Sequence, residues 1–182
     1  MSIELDGAPW RTVPSAVIAD VALSVGTEIT RPLARRFRTA LRRREAIGHA
    51  ERLLAHSARS VAALDHALAQ RGVARGEREA LVAELERSGL VSDSRSATDR
   101  AALLAERGWA NAAIEHQLEA AGYAPQARSD ALVGLDGELE RARAALARKS
   151  RTPEQAARFL AQRGFDMELC ESLFDYSDTM EG

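Results

Sequence analysis

Four histidines, one cysteine and a large stock of arginine are the side chains of this 182-residue chain with chemistry to offer. His49 and His56 stand two helical turns apart, close enough for two imidazoles to share a face. A zinc site needs such neighbours plus further ligands. No carboxylate–histidine pattern supplies them, and the single Cys170 excludes both an intramolecular disulfide and a cysteine-based metal site. His66 and His116 each follow an apolar residue, Leu64 and Ile114, by two positions and read as solvated-face residues. Cys170 lies beside Leu169 and Leu173 and reads as inert packing. Asp93 reads as a helix cap and Asp99 as a surface charge. The chain has no phosphate-cradling glycine loop, no H-E-x-x-H and no nucleophile elbow. These residues predict neither an enzyme nor a cofactor or metal site.

Recognition is the chemistry that remains. Lys149 is the only lysine, so almost all positive charge is guanidinium, a planar donor fork suited to carboxylates and phosphates. Arg31, Arg35, Arg36, Arg38, Arg42, Arg43 and Arg44 form the densest basic run, with Leu33, Phe37 and Leu41 four apart among them. That is a basic amphipathic helix, which either touches nucleic acid or an acidic protein surface or is simply a solvated face biased along the helix dipole. The net charge of −2 excludes a uniformly basic nucleic-acid binder while leaving local basic patches. No apolar run is long enough to span a bilayer and the first residues are no signal peptide, so a soluble, cytoplasmic chain without a membrane partner is expected.

The elements that must position these groups repeat. Leu64, Leu68, Gly72 and Val73 recur as Ile114, Leu118, Gly122 and Tyr123, and again as Ala156, Leu160, Gly164 and Phe165. Leu54, Leu104 and Leu146 each stand 18 residues before the glycine; Leu81, Ala131 and Leu173 stand 9 after it. Each copy reads as helix, helix, glycine stop, helix. The glycine supplies the left-handed residue that ends a helix, and the apolar residue beyond it folds back onto the last turn. Fixed-period copies signal stacked repeats, each too small to bury a core alone. Alanine and leucine dominate, both strong helix formers.

The predicted architecture is therefore mainly α: tandem three-helix repeats in a curved, elongated stack, with a small N-terminal β-hairpin and helix. Residues 1–29 hold the hairpin, with a loop of three or four residues around Asp6-Gly7, and a helix capped by Ser15. Residues 30–44 are the basic helix, capped by Thr30 with Pro32 in its first turn. The repeats follow at 45–91, 92–136 and 137–182. Ser60 caps the helix carrying Leu64, and Thr152-Pro153-Glu154-Gln155 is a capping-box start.

Several segments together resemble the RecX regulatory protein family. Gly89-Leu90-Val91-Ser92-Asp93-Ser94-Arg95-Ser96-Ala97 is similar to its Gly-apolar-apolar-Asp-Asp-x-Arg-Phe-Ala signature, with Ser92 in place of the first Asp and Ser96 in place of the Phe. Gly108, Ile114, Leu118 and Gly122 resemble the block that follows it. Arg59-Ser60, Arg163-Gly164-Phe165 and Leu5-Asp6-Gly7 with Trp10 are similar to the family's Arg-Ser junction, C-terminal Arg-Gly-Phe and N-terminal hairpin. The resemblance implies a non-enzymatic regulator of the RecA recombinase; separately, a monomer is expected. Such a protein lies in the groove of the filament, restrains its ATPase and strand exchange, and so modulates DNA repair, homologous recombination and the SOS response. The candidate partner contacts are Arg59, Arg95, Arg100, Arg107, Arg143, Arg148 and Lys149, with Arg35, Arg36, Arg38, Arg42 and Arg43 on the basic helix. Weak contact with DNA phosphates is part of the same expectation. An autonomous helical DNA-binding protein and a generic helical-repeat scaffold are the competing readings.

Overall fold

The structure, a computed structural model, describes residues 1–147, 152–170 and 173. It is mainly helical, as the alanine- and leucine-rich periodicity predicts. Two strands, β1 (Ser2–Leu5) and β2 (Ala8–Thr12), open the chain as an antiparallel hairpin. Its loop has two residues rather than three or four. Asp6 and Gly7 both take positive φ, 52° and 78°, the geometry of a tight turn whose twist matches the strands. Ile3 pairs with Arg11 but Glu4 with Pro9, leaving Trp10 as the extra residue of a bulge.

The helices are α1 (Ser15–Val21), α2 (Arg31–His56), α3 (Val61–Gln70), α4 (Arg75–Arg87), α5 (Asp93–Glu106), α6 (Asn111–Ala120), α7 (Pro125–Val133), α8 (Glu138–Ala147) and α9 (Pro153–Ala161), with a further helical turn at 167–170. Contacts divide the chain into two compact units, residues 1–58 with 64–88 and residues 59–63 with 89–182.

In the first unit Val13, Val17, Val21, Phe37 and Leu41 form a small core, with the Trp10 ring 5.5 Å from that of Phe37. Ser15 does not cap α1; Pro14 occupies the N-cap position, where no side chain bonds the helix. The helix instead ends on Ala22, held at φ 55° without the help of glycine. Thr30 caps α2 as predicted, its hydroxyl accepting from the Leu33 N–H.

α2 is one helix of 26 residues, so nothing breaks between residues 44 and 45. The apparent boundary comes from a change of face. Phe37 and Leu41 are buried in the first half, and Ala46, Ala50 and Leu53 in the second. At about 100° per residue these two sets point roughly 165° apart. One rod thus serves two packing surfaces in turn, the second shared with α4. Two ion pairs brace this unit, Arg43–Glu84 at 2.7 Å and Arg78–Asp65 at 2.9 Å.

The second unit shows why the glycine spacing recurs. Gly122 and Gly164 take φ of 80° and 81°, and Gly72 in the first unit takes 76°. The Val73, Tyr123 and Phe165 N–H groups then donate to the carbonyls of Leu68, Leu118 and Leu160, five residues back, as a Schellman stop requires. Leu64, Leu68, Ile114, Leu118 and Leu160 are all fully buried. Within 92–136 the helices α5, α6 and α7 pack pairwise around Ala97, Ala101, Ile114, Leu118, Tyr123 and Ala131. Ala142, Leu160, Phe165, Cys170 and Leu173 form the next cluster along, which takes Ala110 from the preceding repeat.

Successive repeats dock through helix ends. Gly164 backs so closely onto Ala113 that an added Cβ would lie 2.8 Å from that residue's Cβ, and one on Gly122 would lie 3.2 Å from Ser60 Oγ. The Ala110 N–H donates to the Arg163 carbonyl at 3.0 Å, and the Ser60 hydroxyl to the Ala121 carbonyl at 2.6 Å. Ser60 caps α3 as well, accepting from the Ala63 N–H. Asp93 is not the cap of its own helix. Ser92 fills that role, accepting from the Arg95 N–H, while Asp93 accepts from the Val61 N–H at 2.8 Å. Glu138 does the same one repeat later, accepting from the Asn111 N–H at 2.6 Å. In both cases a carboxylate on the first residue of one repeat satisfies the exposed start of the middle helix of the repeat before it.

Candidate functional site

Three of the four histidines make contacts within their own helices. His49 Nδ1 accepts from the Arg52 guanidinium at 2.9 Å, and His56 Nδ1 donates to the Arg52 carbonyl at 2.8 Å, so both are tied to their own helix. His66 faces Gln70 one turn on. Among the described residues no three His, Cys, Asp or Glu side chains gather as a metal-ligand set. Cys170 is buried among apolar residues. No helix among the described residues is long and apolar enough to cross a membrane.

The arginines are the remaining candidates, and the fold treats them unequally. Arg31, Arg35, Arg38 and Arg42 fall within about 60° of one another on α2 at 100° per residue and make one exposed stripe. Arg36 and Arg43 lie on a second exposed face, and Arg43 is committed to Glu84. On α5, Arg100 and Arg107 are exposed and share a face, whereas Arg95 turns away and donates to the Gly89 carbonyl at 2.8 Å. Arg59 is half-buried; its Nε is closed to solvent with no acceptor among the described residues. Arg143 is exposed on α8. Arg148 and Lys149 lie outside the described residues.

Two arginines hold helix ends in ways that the sequence reading did not assign. Arg141 on α8 is only 6% exposed. Its guanidinium donates to the Asp136 carbonyl at 2.9 Å, to the Trp109 carbonyl at 2.7 Å and to the Asn111 side-chain oxygen. Burial lowers its pKa from the ordinary arginine value, opposed by the nearby Glu138 and Asp136 carboxylates. It positions the start of α6 rather than meeting a partner. Arg163 lays its guanidinium 4.0 Å above the Phe159 ring and donates to the Arg107 carbonyl, closing the end of α5. In a sequence holding so many arginines, no local signal separates a buried one from a solvated one.

Ser96, where the resemblance expects phenylalanine, is buried and donates to the Ser92 carbonyl at 2.7 Å. A bulky ring is thus replaced by a hydroxyl that satisfies itself within its own helix turn.

A third feature was also missed. The hairpin, the 23–29 loop and the start of α2 enclose a groove of about 910 Å³. Ile3, Trp10, Leu23, Ile29, Leu33 and Phe37 are among its walls. No periodicity announces it, because its walls come from three separate stretches of chain.

Taken together, these elements define a class of mainly helical protein with glycine-stopped three-helix repeats following an N-terminal hairpin. No protein-family model matches the chain, and no curated protein sequence does. Solved structures do match. The crystal structure of regulatory protein RecX is similar over 96% of this chain and 94% of its own, with a TM-score of 0.71 at 19% identity. RecX from Lactobacillus salivarius is similar over 76% of this chain and 97% of its own, with a TM-score of 0.64 at 15% identity. The chain has the RecX fold.

Proposed function

We propose that this protein is a non-enzymatic regulator that binds the RecA recombinase filament and restrains its ATPase and strand exchange by occupying the filament groove. The observation that carries the reading is the RecX fold across 96% of the chain. Two features support it. Guanidinium groups stand on exposed faces of α2, α5 and α8, suited to acidic protein surface or phosphate. The polar side chains inside the repeats are spent on holding helix ends together, as in the Asp93–Val61 and Glu138–Asn111 links, and not on a reaction centre. The mechanism is occlusion. A chain bound across neighbouring filament subunits blocks incoming duplex and hinders growth, without bond making or breaking.

The test compares two measurements. RecA ATPase on single-stranded DNA is followed with and without the protein, beside fluorescence anisotropy of the protein on bare DNA. Inhibition that weakens as salt rises, together with poor affinity for bare DNA, is the expected result. Charge-reversing Arg100 and Arg107 should lower the inhibition at unchanged thermal stability. Tight binding to bare DNA with no effect on the ATPase would instead establish an autonomous DNA-binding protein, for which the Arg31–Arg42 stripe would be the phosphate track. The net charge of −2 opposes that alternative.

A further inference from the structure

The N-terminal groove has the features of a docking site. It is wide, at about 910 Å³, and its neighbours include the most exposed large apolar side chains of the first unit: Met1 (66%), Trp10 (50%), Val25 (106%) and Ile29 (48%). A soluble chain rarely leaves such side chains grouped without a partner. The α2 wall changes character across its width. Leu33, Ala34 and Phe37 face the groove, Arg38 stands at its lip, and Arg31, Arg35 and Arg42 continue outward on the same helical stripe. Glu4 and Arg38 are the charged side chains of the lining; exposed Asp6 and Glu28 flank its hairpin and loop sides, and the arginine ridge makes the α2 side basic.

We propose that this groove receives an acidic amphipathic helix of a partner protein, its apolar face in the cavity and its carboxylates against Arg31, Arg35, Arg38 and Arg42. Apolar anchors at i, i+3, i+4 and i+7 are what such a groove accepts, and the flanking guanidinium groups set sign and register. A second copy of this chain is the alternative that a measurement of self-association separates. A lipid surface is a poor occupant. Trp10 and Val25 are exposed at the rim, but Ile3, Leu33 and Phe37 line a concavity that a bilayer surface does not fill. The inference does not depend on the recombinase reading, since the probe below involves no recombinase.

Trp10 reports on the groove directly. In a Trp109→Phe background it is the sole tryptophan. Two synthetic helical peptides of about 14 residues serve as probes, with the same leucine and phenylalanine anchors, one carrying glutamate on its other face and one lysine. The acidic peptide should shift Trp10 emission to the blue on binding. The lysine peptide should bind about tenfold more weakly at low salt. Ile29→Glu should abolish the shift, and Val25→Glu should weaken it if Ile29→Glu proves poorly folded by circular dichroism. Arg35→Glu with Arg38→Glu should reverse the preference between peptides. The proposal is overturned by equal affinity for both peptides or by no binding of either. It is overturned equally by anionic phosphatidylglycerol vesicles shifting Trp10 where the peptides do not, or by self-association of the protein that occupies the groove.

Discussion

Gly72, Gly122 and Gly164 occupy equivalent places and share one backbone conformation, with φ of 76°, 80° and 81°, yet they differ in what stands in front of them. Nothing lies within 4 Å of a Cβ built on Gly72; Ser60 Oγ lies 3.2 Å from one on Gly122, and the Ala113 Cβ 2.8 Å from one on Gly164. Substituting alanine at all three positions separates two costs. The left-handed conformation costs a residue with a Cβ about 1–2 kcal/mol at each site. A partial offset from the stiffer unfolded chain, about 0.4–1 kcal/mol, is also common to all three. Only the steric part varies. Carbon atoms pack best at about 3.5–4.0 Å, so Gly164→Ala forces α9 and α6 apart and adds roughly 1–3 kcal/mol of overpacking. Gly122→Ala falls between, since Ser60 can yield only by giving up bonds to the Ala121 carbonyl and the Ala63 N–H. With that offset included, the expected losses are about 0–1.6 kcal/mol for Gly72→Ala and about 1–4.6 kcal/mol for Gly164→Ala, with Gly122→Ala between. Urea unfolding followed by circular dichroism gives the free energies, and unchanged m-values confirm that the end states are the same. Amide exchange assigns each loss to its unit. Equal losses at the three sites, or the largest at Gly72, would refute the claim that repeats dock through these glycines.

Other expectations are more local. Ala22→Gly should raise stability by about 0.5–1 kcal/mol, because Ala22 holds φ 55° at the end of α1 where glycine is unstrained; a lower melting temperature would contradict this. Arg141→Ala should cost about 2–4 kcal/mol, since it strips the donor from the Trp109 carbonyl and the Asn111 side chain. Arg141→Lys should recover less than half of that loss, as an ammonium cannot reproduce the planar fork that reaches both groups. Thermal denaturation of the two variants beside the parent decides between fork and charge.

Spacing made the repeats legible. The three glycine stops, their buried Leu68, Leu118 and Leu160, and the caps at Thr30, Ser60 and Thr152 all follow from local rules that tertiary contacts here reinforce. Where the reading failed, the reasons differ from place to place. Asp93 has the right side chain to cap α5 but spends it on Val61, leaving α5 to Ser92. α2 looked like two helices because its buried face moves from Phe37 and Leu41 to Ala46, Ala50 and Leu53 while the backbone runs on unbroken. Ser15 lost the cap position to Pro14. The candidate contacts were the least legible. An arginine's role depends on its surroundings, and Arg141, Arg163, Arg95 and Arg100 look alike until their neighbours are known.

The carboxylates of Asp93 and Glu138 give the array a polarity. Each newcomer brings, on its first helical residue, the group that completes the module already laid down, and Val61 and Asn111 wait for it. A cut placed just ahead of residue 93 or 138 would leave the preceding module with a bare helix start, so workable fragments should overrun their apparent boundary by at least one acidic residue.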